Sequence, residues 1–274
     1  MFKINLCSEV IRELDFASQC RFVREAGYDG LEVAPFTLAA DPGALTVADL
    51  AGFRSTARDE DVAISGLHWL LAAPAGLSIT SGEPDTVKRT RAFARKLVAI
   101  CAELGGTYLV HGSPGQRQLE PGREADGKKR AADYFAEMGE AARRSGITYI
   151  VEPLSRADTG LINTVDEAVA LIAETGCEAL STMVDCYAAA NNGEDVPALL
   201  NRWIPEGSVT HVHFNDPNRR GPGQGDFAFW PVIDALRELG YAGESAVEPF
   251  DYAPDGPACA ARAIGFLRGL LEAR

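Results

Sequence analysis

The chain has 274 residues, of which 26 are Lys or Arg and 39 are Asp or Glu, so its formal net charge at pH 7 is −13. Hydrophobic residues make up 46% and charged residues 24%, proportions typical of folded globular proteins, which argues against wholesale disorder. The acidic balance argues against a protein that binds nucleic-acid phosphates or anionic membranes, because both need clustered Lys and Arg. The length allows either two ordinary domains or one α/β barrel.

The cysteines and the first residues of the chain indicate the compartment. The six cysteines are scattered and no two form a CxxC pair, which excludes a zinc knuckle and a thioredoxin motif. The opening residues, MFKINLCSEVIRELDF, contain no long apolar stretch and do not resemble a signal peptide. The most apolar window, residues 67–77, is interrupted by His68 and Pro74 and is too short to span a bilayer. We therefore expect a soluble protein in the reducing cytoplasm.

Eight short β-type runs alternate with longer helical patterns along the chain. The runs are residues 2–7, 30–35, 62–69, 107–112, 147–153, 180–185, 208–214 and 244–250. Most are nearly continuous apolar stretches, as expected for parallel strands that are covered by helices. The amphipathic segments between them include residues 85–104, 131–145, 164–175, 230–239 and 258–271.

The spacing of these elements predicts the fold. A glycine follows several of the helical patterns, where a left-handed C-cap would end the helix; these are Gly27, Gly105, Gly146, Gly176 and Gly240. No linker divides the chain. Eight βα units over about 250 residues predict a single-domain (β/α)8 TIM barrel that comprises residues 1–274. The alternative is an open doubly wound sheet, but its glycine-rich phosphate loop is missing after the first strand.

Polar residues lie at the ends of the last four predicted strands. In a TIM barrel the catalytic groups lie at the carboxyl ends of the strands. Here those ends carry Glu152, Asp185, His213 and Glu248. Three carboxylates and one imidazole would form a site for a divalent cation such as Mn²⁺, Mg²⁺ or Co²⁺, and without a cation the carboxylates would repel one another. The alternative is that each acid caps a strand and pairs with a neighbouring Arg or Lys.

All four histidines of the chain lie at or near predicted strand ends. His211 and His213 are two residues apart, so they share one face of their strand, and we expect His211 to pack or hydrogen-bond one layer deeper. His68 and His111 would point into the barrel mouth from the opposite side and contact substrate; the alternative is a hydrogen bond to loop backbone. Arg117 either reaches a substrate carboxylate or phosphate or belongs to a surface loop.

Four segments carry a resemblance to a known family. They are VEPLSRADTGLINTVDEAVALI (151–172), MVDCYAAAN (183–191), HVHFNDPNRRGPGQG (211–225) and AVEPF (246–250). The sequence resembles the xylose-isomerase-like TIM-barrel superfamily of sugar (phosphate) isomerases and epimerases, nearest the D-tagatose/D-psicose (ketose) 3-epimerase group. The resemblance covers essentially the whole chain.

The resemblance implies one divalent metal ion, with Mn²⁺ as the first choice, bound by Glu152, Asp185, His213 and Glu248. The family's ligand is the second His of the H-x-H pair, which favours His213. It also implies that Arg219 contacts substrate hydroxyls. The partner would be a small-molecule carbohydrate, and the chain would form a homodimer or homotetramer.

Two departures from the family pattern concern substrate recognition. The family's Asp-x-x-His reads Asp185-Cys186-Tyr187-Ala188 here, so Ala188 replaces a His that contacts substrate oxygens. Asp158 stands where the family has Glu, and we expect it to contact substrate. Both changes leave the metal ligands intact, so we expect an altered substrate and the same chemistry.

These residues predict a metal-dependent sugar epimerase. A divalent ion that chelates a carbonyl and a neighbouring hydroxyl oxygen stabilises the enediolate formed when the proton beside the keto group is removed. Epimerisation needs bases on opposite faces, and Glu152 and Glu248 can serve as that pair.

Other functions use parts of the same pattern. An aldose–ketose or hydroxypyruvate-type isomerase would need one base on one face. A keto-sugar or keto-inositol dehydratase would begin with the same deprotonation. An endonuclease-IV-like phosphodiesterase is a remote alternative, because further zinc ligands and basic loops are missing from this sequence. A non-catalytic binding barrel is disfavoured by the intact ligand set.

Overall fold

Eight parallel strands close into a barrel in the computed structural model, which describes residues 2–273. The strands are β1 Lys3–Cys7, β2 Gly30–Val33, β3 Ala63–Leu67, β4 Tyr108–His111, β5 Thr148–Val151, β6 Leu180–Asp185, β7 Val209–Phe214 and β8 Glu244–Val247. Each strand pairs with its neighbours in sequence, and β8 pairs with β1 to complete the circle. The predicted TIM barrel is confirmed, with every predicted strand present and shortened by a few residues at most.

Helices follow the strands and cover the outside of the barrel. They are α1 Phe16–Ala26, α2 Pro35–Leu38, α3 Val47–Asp59, α4 Pro84–Leu104, α5 Glu124–Arg144, α6 Val165–Thr175, α7 Cys186–Asn191, α8 Val196–Trp203, α9 Trp230–Glu238 and α10 Gly256–Glu272. Short 3-10 turns lie at Ser8–Ile11, Pro42–Ala44 and Pro114–Arg117. Among residues 2–273, no helix is both long and apolar enough to cross a lipid bilayer.

The helix ends follow local sequence signals. At α6, Thr164 and Glu167 form a capping box in which each side chain accepts from the other residue's backbone N–H. The same helix ends at Gly176, whose φ of 62° is left-handed, as predicted. Helix α5 begins seven residues before the predicted start, at Glu124, because its first turns are charged and carry little hydrophobic periodicity.

Alternation along the strands separates two cores. Inside the barrel, Tyr108, Val110, Ile150 and Met183 form a small cluster. The intervening strand residues, such as Leu109, belong to the larger core between the barrel and its helices. Successive strand side chains point to opposite faces, so the parity of each strand decides which terminal side chain reaches the barrel mouth.

Candidate active site

The four predicted metal ligands converge at the carboxyl ends of β5 to β8. Each of Glu152, Asp185, His213 and Glu248 offers a ligand atom within 4.8 Å of those of the other three, and all four residues are buried. His213 Nδ1 lies 2.9 Å from Glu248 Oε2, 3.5 Å from Glu152 Oε1 and 3.9 Å from Asp185 Oδ2. The structure therefore brings the predicted set together with Nδ1 as the imidazole atom that faces the carboxylates.

The shifted pKa values of the three carboxylates in this cluster indicate a site suited to a bound cation. Burial, together with the neighbouring Glu152 and Glu248, raises the pKa of Asp185 well above its usual value. Burial likewise raises the pKa of Glu152. Burial acts in the same sense on Glu248, but the adjacent His213 and His68 rings outweigh it and lower the pKa of Glu248 to about 2. Buried carboxylates this close to one another are best compensated by bound positive charge.

Glu152 occupies space that only a glycine leaves free. A Cβ added at Gly112, the residue after β4, would lie 1.5 Å from Glu152 Oε2. The Glu152 backbone oxygen accepts a hydrogen bond of 2.6 Å from Arg117 Nη2. Arg117 is fully buried, and this burial lowers its pKa to about 10. Arg117 therefore lies beneath the Glu152 backbone and does not belong to a surface loop.

Asp185 is oriented by two donors at the β6–α7 junction. Its Oδ1 accepts from the Ala188 N–H at 2.6 Å, and its Oδ2 accepts from Asn215 Nδ2 at 2.7 Å. The Asn215 side-chain oxygen in turn accepts from the Tyr187 N–H at 2.7 Å. Sequence reasoning missed Asn215, whose position directly after β7 was the available signal.

Glu32 on β2 contacts the Nε2 side of the His213 ring, opposite the ligand carboxylates, and sequence reasoning missed it too. Its Oε1 lies 2.9 Å from His213 Nε2, and its Oε2 lies 3.0 Å from His211 Nε2 and 2.6 Å from the Tyr108 hydroxyl, which donates. Burial raises the pKa of Glu32, but His211 and His213 outweigh burial and hold it well below its usual range.

This contact fixes the tautomer of His213. Because a carboxylate only accepts, Nε2 of His213 donates to Glu32, so in the neutral ring it is Nδ1 that carries the lone pair toward the ligand carboxylates. The signal in the sequence was a single acid inside the otherwise apolar run GLEVAP. His211 packs one layer deeper on the same Glu32, as expected.

His68 lies behind Glu248 and does not line the cavity. Its Nδ1 is 3.2 Å from Glu248 Oε1, and its Nε2 is 2.8 Å from Glu9 Oε2. Burial lowers the pKa of His68, but Glu9 and Glu248 outweigh burial and raise it to about 10. The structure thus brings His68 to a predicted metal ligand, where we had expected contact with substrate. Glu9, in the 3-10 turn after β1, was not foreseen.

His111 is not brought to the site. Its Nδ1 lies 2.8 Å from the Tyr149 hydroxyl, and its ring packs against Tyr134 and Phe135 at centroid distances of 5.4 and 5.1 Å. The expectation that it faces the barrel mouth is corrected by strand parity: Val110 points inward, so His111 points outward, toward α5. Gly112 lines the cavity instead.

Three of the four predicted ligands, Glu152, Asp185 and Glu248, line one cavity of about 510 Å³. Its lining residues are Trp69, Gly112, Pro114, Glu152, Leu154, Asp158, Asp185, Tyr187, Arg219, Glu248 and Phe250. The set includes both predicted substrate contacts on this side, Asp158 and Arg219. Arg219 Nη1 donates to the Tyr187 hydroxyl at 3.2 Å, and that hydroxyl donates to Asp158 Oδ2 at 3.4 Å. The guanidinium carbon also lies 5.0 Å from the centre of the Phe250 ring.

Comparison with known proteins identifies the family. The model of the xylose isomerase-like TIM barrel family matches residues 20–270. The chain belongs to this family. It is 26% identical over 230 residues to an L-ribulose 3-epimerase of Mesorhizobium japonicum, covering 83% of this chain and 73% of that protein. It is 25% identical over 234 residues to a 3-dehydro-D-guloside 4-epimerase of Escherichia coli, covering 81% of this chain and 82% of that protein.

Structural comparison supports the same fold. A crystal structure of D-psicose 3-epimerase in the presence of D-fructose superimposes with a TM-score of 0.84 over 98% of this chain and 99% of that one, at 19% identity. The predicted resemblance to this superfamily and to the ketose 3-epimerases is confirmed. The chain is an isomerase-type enzyme of this family.

Proposed function

We propose that the chain is a divalent-metal-dependent sugar epimerase that removes a proton from the carbon beside a keto group and returns it to the opposite face. The observation that carries the proposal is that Glu152, directly after β5, and Glu248, directly after β8, line one cavity and flank the same His213 Nδ1. Two carboxylates that reach one substrate from different strands can act on its two faces. The names of the sugar-epimerase relatives support the same reaction class.

The metal would be held by Glu152, Asp185, His213 and Glu248, with Mn²⁺ as the first choice and Mg²⁺ or Co²⁺ as alternatives. Three oxygen donors and one nitrogen donor suit these ions, and the Nε2–H tautomer of His213 provides the lone pair on Nδ1. Such an ion would stabilise the negative charge that develops on the substrate oxygens during proton removal.

The other lining residues orient the sugar and limit water. Arg219, in its chain with Tyr187 and Asp158, presents donors to hydroxyl groups. Leu154 and Phe250 supply apolar wall, which keeps competing water away from the reacting carbon. One of Glu152 and Glu248, as the carboxylate, then takes the proton from one face of the substrate carbon, and the other, in its protonated form, gives a proton to the opposite face.

The substrate can extend beyond a single sugar. A second, polar groove shares Tyr187 and Arg219 with the cavity and continues along Arg156, Asn191 and Asn218. A substituent on the sugar would therefore have polar groups to meet outside the cavity. For this reason both free ketoses and keto-glycosides belong in the substrate panel.

The direct experiment follows exchange of the proton beside the keto group. The protein, loaded with Mn²⁺, is incubated in D₂O with D-fructose, D-psicose, L-ribulose, hydroxypyruvate and a 3-keto-glycoside, and the metal is chelated before NMR spectra are recorded. We expect metal-dependent deuterium incorporation and formation of an epimer with at least one sugar. A shifted carbonyl would indicate an isomerase, and loss of water a dehydratase. No exchange with any compound would contradict the proposal.

Two variants test the assignment of the bases. Glu152→Gln and Glu248→Gln should each abolish epimer formation and leave the fold intact. The matched control is Glu244→Gln, since Glu244 lies at the opposite end of β8 and pairs with Lys3 at 2.9 Å. The control should retain normal turnover. Normal turnover by either active-site variant would remove that residue from the pair.

Metal content and assembly are tested separately. Elemental analysis should give one divalent ion per chain, and removal of that ion should abolish exchange until Mn²⁺, Mg²⁺ or Co²⁺ is restored. Several zinc ions would favour a phosphodiesterase-like site instead. The homodimer or homotetramer remains a prediction, which light scattering of the purified chain would check.

A further inference from the structure

Trp69 combines two unfavourable features at one wall of the cavity. Among residues 2–273, four non-glycine residues have a positive φ: Asp61, Trp69, Ile162 and Arg219. Two of the four, Trp69 with φ 50° and Arg219 with φ 75°, line the cavity. A left-handed backbone is strained for a bulky side chain, and such strain persists where the surrounding structure enforces it.

The second feature is the indole N–H of Trp69. Its Nε1 is buried and has no hydrogen-bond partner among the described residues. Indole nitrogen can only donate, and a buried donor without an acceptor is unfavourable. Trp203 provides a contrast within the same chain, because its Nε1 donates to Asp166 Oδ1 at 3.0 Å. Trp69 is therefore a donor that lacks an acceptor, in a residue that lines the predicted substrate cavity.

The segment around Trp69 is held on both sides. Before it, the backbone N–H of His68 donates to the Val33 oxygen at 3.1 Å, and the His68 ring lies between Glu9 and Glu248. After it, Leu71 is fully buried, and its N–H donates to Ser113 Oγ at 3.3 Å. The indole is thus preorganised, and it is adjacent in sequence to the residue that contacts the Glu248 carboxylate.

We propose that Trp69 is a substrate-positioning residue whose Nε1–H donates a hydrogen bond to an oxygen of the bound sugar. The identity of the ligand as a keto-sugar rests on the function proposed above. Because His68 and Trp69 are consecutive, a sugar oxygen held by Trp69 is placed in fixed relation to Glu248. Arg219 and Tyr187 line the same cavity and would bind other oxygens of the sugar.

The first test removes the donor and keeps an aromatic ring. Trp69→Phe should raise KM about 3- to 10-fold for the sugar with the fastest exchange and change kcat by less than about 3-fold, as expected for loss of one neutral hydrogen bond. The metal content should stay unchanged. An unchanged KM would overturn the proposal.

A series of monodeoxy analogues separates this role from a structural one. One analogue, which lacks the hydroxyl or carbonyl partner of the indole, should bind wild type and Trp69→Phe equally, because the interaction is absent from both. The other analogues should retain the 3- to 10-fold difference. A defect of the same size for every analogue would indicate a general disturbance of the cavity and would overturn the proposal.

A fluorescence experiment keeps this inference distinct from the proposed reaction. The chain has three tryptophans, so Trp203→Phe with Trp230→Phe leaves Trp69 as the only indole reporter. Titration with the sugars of the panel, after calorimetry has identified those that bind, should shift Trp69 emission whether or not exchange occurs. Emission that stays constant on binding, or failure of every sugar to bind, would overturn the proposal. Failure of exchange alone would contradict only the proposed reaction.

Discussion

The two halves of the barrel contribute to the candidate site in different ways. Strands β5 to β8 provide the four predicted metal ligands. Strands β1 to β4 provide none of these ligands, but most of the residues that support them come from this half: Glu9, Glu32, His68 and Gly112. The exception is Asn215, which follows β7 and orients Asp185. Because the barrel is closed, side chains at the carboxyl ends of strands on opposite sides meet across its mouth. The ligand half would therefore hold the metal ion, whereas the supporting half fixes the position of Glu248, the tautomer of His213 and the space that Glu152 occupies.

The two halves also differ in how their acids are compensated. In the supporting half, Glu32 faces both His211 and His213, and Glu9 faces His68. In the ligand half, Asp185 faces no cationic side chain closer than the 3.9 Å to His213 among the described residues. The supporting acids therefore have imidazoles as close partners, and so does the ligand Glu248, which lies 3.2 Å from His68 Nδ1; Asp185 has no such partner this close in the described part of the chain and is left for a bound cation.

The largest effect in the supporting half is expected from Gly112→Ala. The new Cβ would overlap the Glu152 carboxylate, since the two atoms would be 1.5 Å apart, and Glu152 must move. We expect loss of bound metal and a fall in kcat/KM of about 100-fold, the scale of a misplaced catalytic group. Elemental analysis and steady-state rates measure both quantities. Gly115→Ala is the matched control, because no atom lies within 4 Å of its added Cβ. Equal behaviour of the two variants would contradict the packing argument.

Glu32→Gln comes next in size and tests support of a ligand without removing one. The amide no longer accepts from both histidines on two equivalent oxygens, so His213 loses the partner that fixes its Nε2–H tautomer. We expect metal affinity about 10- to 100-fold weaker, as for other partners of metal-bound histidines. Competition with a chelator measures the affinity, and circular dichroism checks the fold. Wild-type affinity in a folded variant would show that Glu32 has no role in holding the ligand.

A smaller effect on rate is expected from His68→Gln. Glu248 keeps its place among the ligands but loses the ring at 3.2 Å from its Oε1, so we expect kcat to fall about 10-fold with metal retained. Removing one partner of the buried pair with Glu9 also lowers the free energy of unfolding, by about 3 kcal/mol. Glu9→Gln combined with His68→Gln should recover much of that stability and none of the rate. Recovery of both would mean that the pair acts through stability alone.

Most of the fold could be predicted because its signals are local. Apolar runs located the strands, and amphipathic spacing with C-terminal glycines located the helices. The acids at the ends of β5, β6 and β8 indicated the ligand half. The supporting half was harder to predict. Glu32 was visible as a single acid in an apolar run, but its partners are 179 and 181 residues away in sequence, and only barrel closure brings them together.

Strand parity could not be predicted for the same physical reason that the strands were easy to find. A strand covered on both faces is apolar throughout, so its sequence shows no alternation that distinguishes inside from outside. His68 and His111 therefore gave equivalent signals at the ends of β3 and β4. Trp69 gave no signal, because its significance depends on backbone conformation and an unpartnered donor.

His111 is the outward-facing counterpart of His68, and its replacement should have the smallest effect on catalysis. His111→Asn keeps a polar group near Tyr149 and cannot titrate, so we expect kcat/KM within about 3-fold of wild type, since residues outside the cavity do not stabilise the transition state directly. Stability should change in a pH-dependent way. Burial and the nearby Arg117 lower the pKa of His111 well below its usual value of 6.5, so the folded state binds this proton less readily than the unfolded state.

The sign of that dependence follows from linkage. Above pH 6.5 the ring is neutral in both states and costs nothing, whereas below it the unfolded chain takes up a proton that the folded chain resists. Wild type should therefore lose stability relative to His111→Asn as the pH falls below 6.5, by at most about 1.4 kcal/mol per pH unit. Denaturant unfolding of both proteins between pH 8 and pH 5 measures the difference. Parallel pH profiles would mean that His111 gains a proton in the folded state, and a large loss of kcat/KM would mean that this side chain reaches the site after all.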